Sequence, residues 1–108
     1  MGTALERGKL GDAIVEIFIS LQRSQGVSLR GLSRESGVKL GRLGNILSRN
    51  YTLTIDEIGA ISTALNVYAW EVVAAAEWMV YGQPPEGLTR QEKIDVAALF
   101  EAAARYRD

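Results

Sequence analysis

The sequence predicts an all-α fold of six helices. Apolar residues recur at intervals of three and four residues in successive segments, which is the spacing of one face of an α-helix. The segments are separated by residues that start or stop helices, namely serine or threonine before them and glycine or asparagine after them. The chain has 108 residues and is 47% hydrophobic, so it can build the core of a single domain.

The first helix is predicted over Lys9–Gln25, with Gly26 as its stop. Asp12 and Glu16 lie near its start, where the helix dipole favours acidic side chains. Its apolar stripe consists of Leu10, Ile14, Ile17, Phe18 and Leu21.

Two short helices follow, joined by a tight turn. Ser28 is the expected N-cap of a helix over Leu29–Ser36, and Gly37 can take the left-handed conformation that ends it. The third helix is predicted over Leu40–Ser48. Its apolar arc consists of Leu40, Leu43, Ile46 and Leu47. Small Ser33 is expected where two helices cross closely.

Three further helices complete the prediction. Thr54 and Glu57 form a capping box that opens the fourth helix, which ends at Asn66. The fifth helix is predicted over Ala69–Tyr81, with Trp70 among the candidates for its inner face. Thr89 and Glu92 form a second capping box that opens a sixth helix, ending near Tyr106. The expected organisation is a helical domain over residues 1–81, a linker over 82–88 and a C-terminal helix over 89–108.

Composition argues against an enzyme. The chain has no cysteine and no histidine, so it lacks thiolate ligands, the commonest general base and the commonest metal ligand. No glycine-rich phosphate loop is present, and we expect neither a metal nor a cofactor. No apolar run is long enough to span a membrane, and the first residues lack the apolar core of a signal peptide. These features favour a cytoplasmic protein.

Charge is unevenly distributed along the chain. Residues 23–50 contain six basic side chains against one acidic residue, Glu35, whereas residues 51–108 contain four basic and nine acidic side chains. A protein that presents one basic face to DNA phosphates has this pattern. A random fluctuation in a chain of net charge −1 is the alternative.

The order of elements from Val27 to Val73 resembles the lambda-repressor-like (Cro and repressor type) helix-turn-helix family. The resemblance rests on matching positions and on the helices that follow them; the positions are Leu32, Ser33, Gly37, Val38, Leu43 and Ile46. With the first helix it covers residues 9–80. It implies a five-helix DNA-binding domain, here followed by the sixth helix.

The sequence departs from the family at two positions. Leu29 stands where a polar residue that contacts DNA usually starts the second helix, so that contact shifts to Ser28 or Arg30. Leu47 stands where the family commonly has glutamate, and this departure is expected to affect packing only.

The resemblance implies that the third helix enters the major groove. Arg42 is the leading candidate for base recognition, since a guanidinium can bind a guanine edge through two hydrogen bonds, and Asn45 could bind adenine similarly. Leu40 could touch a thymine methyl, although its position on the apolar arc of the third helix favours burial in the core. The remaining predicted DNA contacts are to phosphates or through the backbone: Ser28, Arg30, Arg34, Lys39, Gly41, Arg49 and Tyr51. For each arginine, a solvated surface charge is the alternative.

Two further questions stay open at this stage. Gly41 and Gly44 are poor helix formers, so they serve either a close approach to DNA or tight packing against a neighbouring helix. The sixth helix either forms a homodimer interface, the slightly favoured choice, or folds back on its own domain over Trp70 or Trp78.

The sequence thus predicts a sequence-specific regulator of transcription that binds double-stranded DNA, of the phage or prokaryotic repressor type. Such a regulator would act as a homodimer on an inverted-repeat operator and associate with the nucleoid when bound. A protein-interaction module of the same fold, such as an antitoxin or anti-repressor, is the alternative, with the acidic C-terminal part holding a basic partner.

Overall fold

The computed structural model describes residues 8–48 and 51–106. Six helices make up this part of the chain, and it contains no strand. They are α1 (Lys9–Gln25), α2 (Leu29–Ser36), α3 (Leu40–Ser48), α4 (Ile55–Ala64), α5 (Ala69–Tyr81) and α6 (Arg90–Tyr106). The predicted all-α class is therefore confirmed.

The helices begin and end where local signals predicted. Gly26 and Gly37 have left-handed backbone angles, φ 66° and 79°, at the ends of α1 and α2. Asn66 is also left-handed, with φ 62°, just beyond α4. Both capping boxes form, with the carboxylates of Glu57 and Glu92 accepting the N-cap amide hydrogens of α4 and α6 at 2.8 Å.

The core lies mainly between α1, α5 and α6, which pack against one another. Ile17 and Phe18 of α1 are fully buried at its centre, together with Val72 of α5 and Val96 of α6. On the other side, α2 packs on both α3 and α4, and α4 in turn packs on α5. Helix α3 packs mainly on α2 and to a smaller extent on α1.

The sixth helix folds back onto the domain. Val96, Leu99 and Ala103 are buried, and the ring of Phe100 stacks on Trp78 with centroids 4.8 Å apart. The described helix thus folds back on its own domain, and Val96, Leu99 and Ala103 serve that core, whereas Ile94 on the same helix remains 55% exposed. The reason is that α1 and α5 together leave an apolar surface that the alanine-rich face of α6 can approach closely.

The inner face of α5 was only partly predicted. Trp70 is 42% exposed, whereas Val72, Ala75 and Ala76 are fully buried. This helix is apolar on nearly all sides, so periodicity could not identify the side that packs. The small side chains face the core because they let α5 approach its neighbours.

No single described helix is long and apolar enough to cross a membrane. Helices α4 and α5 satisfy the length and hydropathy criteria only when taken together, and the chain bends by 106° between them.

Candidate nucleic-acid interface

The turn between α2 and α3 is held by hydrogen bonds as well as by packing. Gly37 donates its amide hydrogen to the carbonyl of Ser33 at 2.9 Å, and the hydroxyl of Ser33 donates to the carbonyl of Val38 at 2.6 Å. Val38 is buried in the corner. Ser33 was expected only to be small; its hydroxyl also fixes the turn, so α3 leaves α2 in a defined direction.

The third helix presents a narrow polar face to solvent. Leu43 and Ile46 are fully buried, and Leu40 lies half-buried on the same side. On the opposite side, at helical spacing, Gly41 and Ser48 are exposed and Asn45 is half-buried. Ser48 was not among the predicted site residues, although its distance of three and seven residues from the other two could have identified it.

The two glycines of α3 are not required by packing. A Cβ atom added at Gly41 would meet no atom within 4 Å, and one at Gly44 would make an ordinary contact of 3.7 Å with Leu29. The packing alternative therefore does not explain Gly41, which lies on the outward face. A glycine there makes the helix thin enough for its backbone to approach another molecule closely.

Arg42, the leading candidate for base recognition, is bound within the protein. Its Nε donates to Oε2 of Glu57 at 2.7 Å and its Nη2 donates to Oε1 at 2.9 Å. Nη2 also donates to the carbonyl of Thr52 at 2.7 Å. The guanidinium therefore links α3 to the start of α4 and to the segment between them. We refer to Arg42, Glu57 and Thr52 as the Arg42 clamp.

Within the Arg42 clamp, each side chain stabilises the charged form of the other. Hydrogen bonds from Arg42 lower the pKa of Glu57 to about 2, outweighing partial burial, which raises it. The hydrogen bond to Glu57 in turn raises the pKa of Arg42 above its ordinary value. Glu57 also accepts the amide hydrogen of Thr54, so a single carboxylate serves both the ion pair and the α4 cap. Sequence reasoning identified only the cap.

The predicted phosphate contacts lie mostly at the surface. Ser28 caps α2 by accepting the amide hydrogen of Gly31 at 3.0 Å. The space above Gly31 is bordered by the Ser28 hydroxyl and the Arg34 guanidinium, so two predicted contacts meet there. Arg30 and Lys39 are exposed, and Tyr51 is 39% exposed.

Arg49, another of the predicted phosphate contacts, lies outside the described residues. No group of three or more acidic, histidine or cysteine side chains that could hold a metal ion occurs within residues 8–48 and 51–106.

Comparison with models of known protein families, with curated proteins and with solved structures found no match to this chain.

Proposed function

We propose that the protein is a sequence-specific regulator of transcription that binds double-stranded DNA with α3 in the major groove. The supporting observation is the outward face of α3, on which Gly41, Asn45 and Ser48 form a thin polar surface on a helix braced by a rigid turn. A side chain such as Asn45 can bind adenine through two hydrogen bonds once the backbone lies close to the base edges.

The cations of α2 and the turn support the same orientation. Arg30, Arg34 and Lys39 are exposed, and the N-terminus of α2 carries Ser28 beside Arg34. Amide hydrogens of a first helical turn and neighbouring cations are suited to phosphate oxygens. These contacts fix the position of a protein on a duplex without reading its sequence.

We assign Arg42 a positioning role in this proposal. Recognition of guanine by Arg42 would require the guanidinium to leave a carboxylate that it binds through two hydrogen bonds. Charge-assisted bonds of this kind are about twice as strong as neutral ones. Asn45 therefore replaces Arg42 as the leading candidate for base recognition.

Repression at an inverted repeat, in a phage or prokaryotic cell, is the regulatory role that we propose. Two copies of the protein would bind two half-sites about one helical turn apart, and together these half-sites would make up the operator. The protein would then reside in the cytoplasm and associate with the nucleoid when bound.

The test begins with selection of bound duplexes from a random DNA pool, followed by titrations of the enriched duplex at several salt concentrations. Asn45→Ala should weaken binding to the selected duplex by about tenfold and relax preference at one position, the loss expected of one base contact. Lys39→Ala should weaken binding to every duplex and reduce the salt slope by about 1.

Matched controls come from α6. Gln91→Ala removes an exposed amide and Lys93→Ala an exposed ammonium group, both far along the chain from the proposed interface. Both controls should bind as the wild type does. Failure of the pool to yield an enriched sequence, or equal affinity of Asn45→Ala and Gln91→Ala, would refute the proposed reading surface.

A further inference from the structure

A second surface, distinct from the outward face of α3, has the properties of a docking site. An open groove of ≈ 850 Å³ lies between α4, α5 and the C-terminal end of α2. Its apolar part includes Ile58, Ala60 and Val73, and no residue of α3 lines it. We call this surface the α4–α5 groove.

Large apolar side chains border the α4–α5 groove and remain in solvent. Ile55 is 81% exposed and Trp70 is 42% exposed, and both line the groove. Tyr68, 69% exposed, lies beside them with its ring stacked on that of Trp70 at a centroid distance of 6.5 Å. Contiguous exposed apolar surface with aromatic side chains is typical of protein interfaces, whereas isolated exposed residues are ordinary.

The charge of the groove selects the kind of partner. Glu35 and Asp56 are its two charged lining residues; both are exposed and both are acidic. In a two-fold symmetric dimer the same patch meets itself, so a second copy would bring these carboxylates together. A partner with positive charges beside an apolar anchor would instead match both features of the groove.

We propose that the α4–α5 groove binds a segment of another protein that carries an aliphatic or aromatic anchor flanked by lysine or arginine. The anchor lies against Ile55 and Trp70, and the flanking cations pair with Glu35 and Asp56. This inference does not depend on DNA binding, because the groove and the outward face of α3 share no residue.

The experiment uses the full chain as the target for short random peptides displayed on phage. The peptide enriched most strongly is synthesised with a fluorophore, and its affinity is measured by anisotropy for the wild type and the variants. We expect an enriched apolar anchor with lysine or arginine beside it, and binding that weakens as salt rises.

Matched variants separate the groove from surface hydrophobicity and charge in general. Ile55→Ser should weaken peptide binding by about tenfold, whereas Ile94→Ser, at a 55% exposed position on α6, should leave it unchanged. The pair Glu35→Gln with Asp56→Asn should reduce both affinity and salt dependence, whereas Glu101→Gln should not.

Three outcomes would overturn the proposal. The first is the absence of any enriched peptide. The second is enrichment of peptides that do not fit the groove, either because they are acidic or because Ile55→Ser does not change their binding. The third is self-association of the wild type, seen by sedimentation and lost in Ile55→Ser, since the occupant would then be a second copy.

Discussion

The Arg42 clamp should contribute measurably to folding stability. Glu57→Gln removes the charge that Arg42 binds but keeps a side chain that can complete the capping box, since glutamine also serves at this position. Arg42→Met removes the guanidinium and keeps an apolar stem. We expect each single change to destabilise the fold and the double variant to lose little more, because both remove the same interaction.

The magnitude follows from the geometry. A pKa of about 2 for Glu57, against about 4.3 for a free glutamate, corresponds to about 3 kcal/mol if the full shift reflects folding. The Arg42 side chain is 36% exposed, so solvent screens the pair, and exposed ion pairs contribute at most about 1 kcal/mol. The bidentate geometry and the 17% exposure of Glu57 place the pair above that limit. We therefore expect a coupling free energy of about 1–2 kcal/mol.

The same carboxylate predicts a pH dependence. Because its pKa is lower in the folded state, Glu57 stabilises the fold fully above about pH 4.3, the unfolded value. This contribution is lost as the pH falls from there through about 2. Urea unfolding of the wild type and Glu57→Gln at pH 7 and near pH 3 should therefore show a smaller difference at the lower pH.

The control is Glu92→Gln. Glu92 forms the equivalent capping box with Thr89 on α6 and takes no part in the Arg42 clamp. We expect a smaller loss of stability for this variant. Strict additivity of Arg42→Met and Glu57→Gln, or equal losses for Glu57→Gln and Glu92→Gln, would refute the assignment of a clamp.

Two matched pairs of substitutions test other features of the helices. Gly41→Ala should raise the free energy of unfolding by about 1 kcal/mol while weakening DNA binding; Gly59→Ala, which also meets no atom within 4 Å, should stabilise the fold without changing DNA affinity. Equal DNA affinity of these two variants would contradict a close approach at Gly41. Ser62→Ala should be more stable than Ser20→Ala by about 1 kcal/mol in urea unfolding, because the buried hydroxyl of Ser62 has no hydrogen-bond partner in the described structure, whereas that of Ser20 donates to Ile17. A reversed order would contradict this reasoning.

The helix boundaries could be predicted because the signals that set them are local. Ser28, Thr54 and Thr89 accept or organise amide hydrogens within their own first turn, and Gly37 ends α2 through its own backbone conformation. None of these interactions depends on how the helices pack. A single sequence therefore contains all the information that they require.

The clamp could not be predicted because its partners are far apart in sequence. Arg42 and Glu57 are separated by a loop whose path depends on the packing of α2 against both α3 and α4. Each residue also had a sufficient local explanation, Arg42 as a surface cation and Glu57 as a capping residue. The orientation of Trp70 could not be predicted either. Helix α5 is apolar on nearly all sides, so its sequence shows no alternation of apolar and polar residues that would identify the buried face.

The clamp also changes how the basic charge of residues 23–50 must be interpreted. Arg42 forms an ion pair with Glu57 and is therefore not counted among the cations available to DNA. The exposed cations on α2 and in the turn after it are Arg30, Arg34 and Lys39. Three phosphate contacts correspond to a salt slope of about −3 for one chain, which indicates weak binding that salt removes easily. In the proposed role, specificity must then come from the outward face of α3, and operator affinity from two copies bound to one duplex.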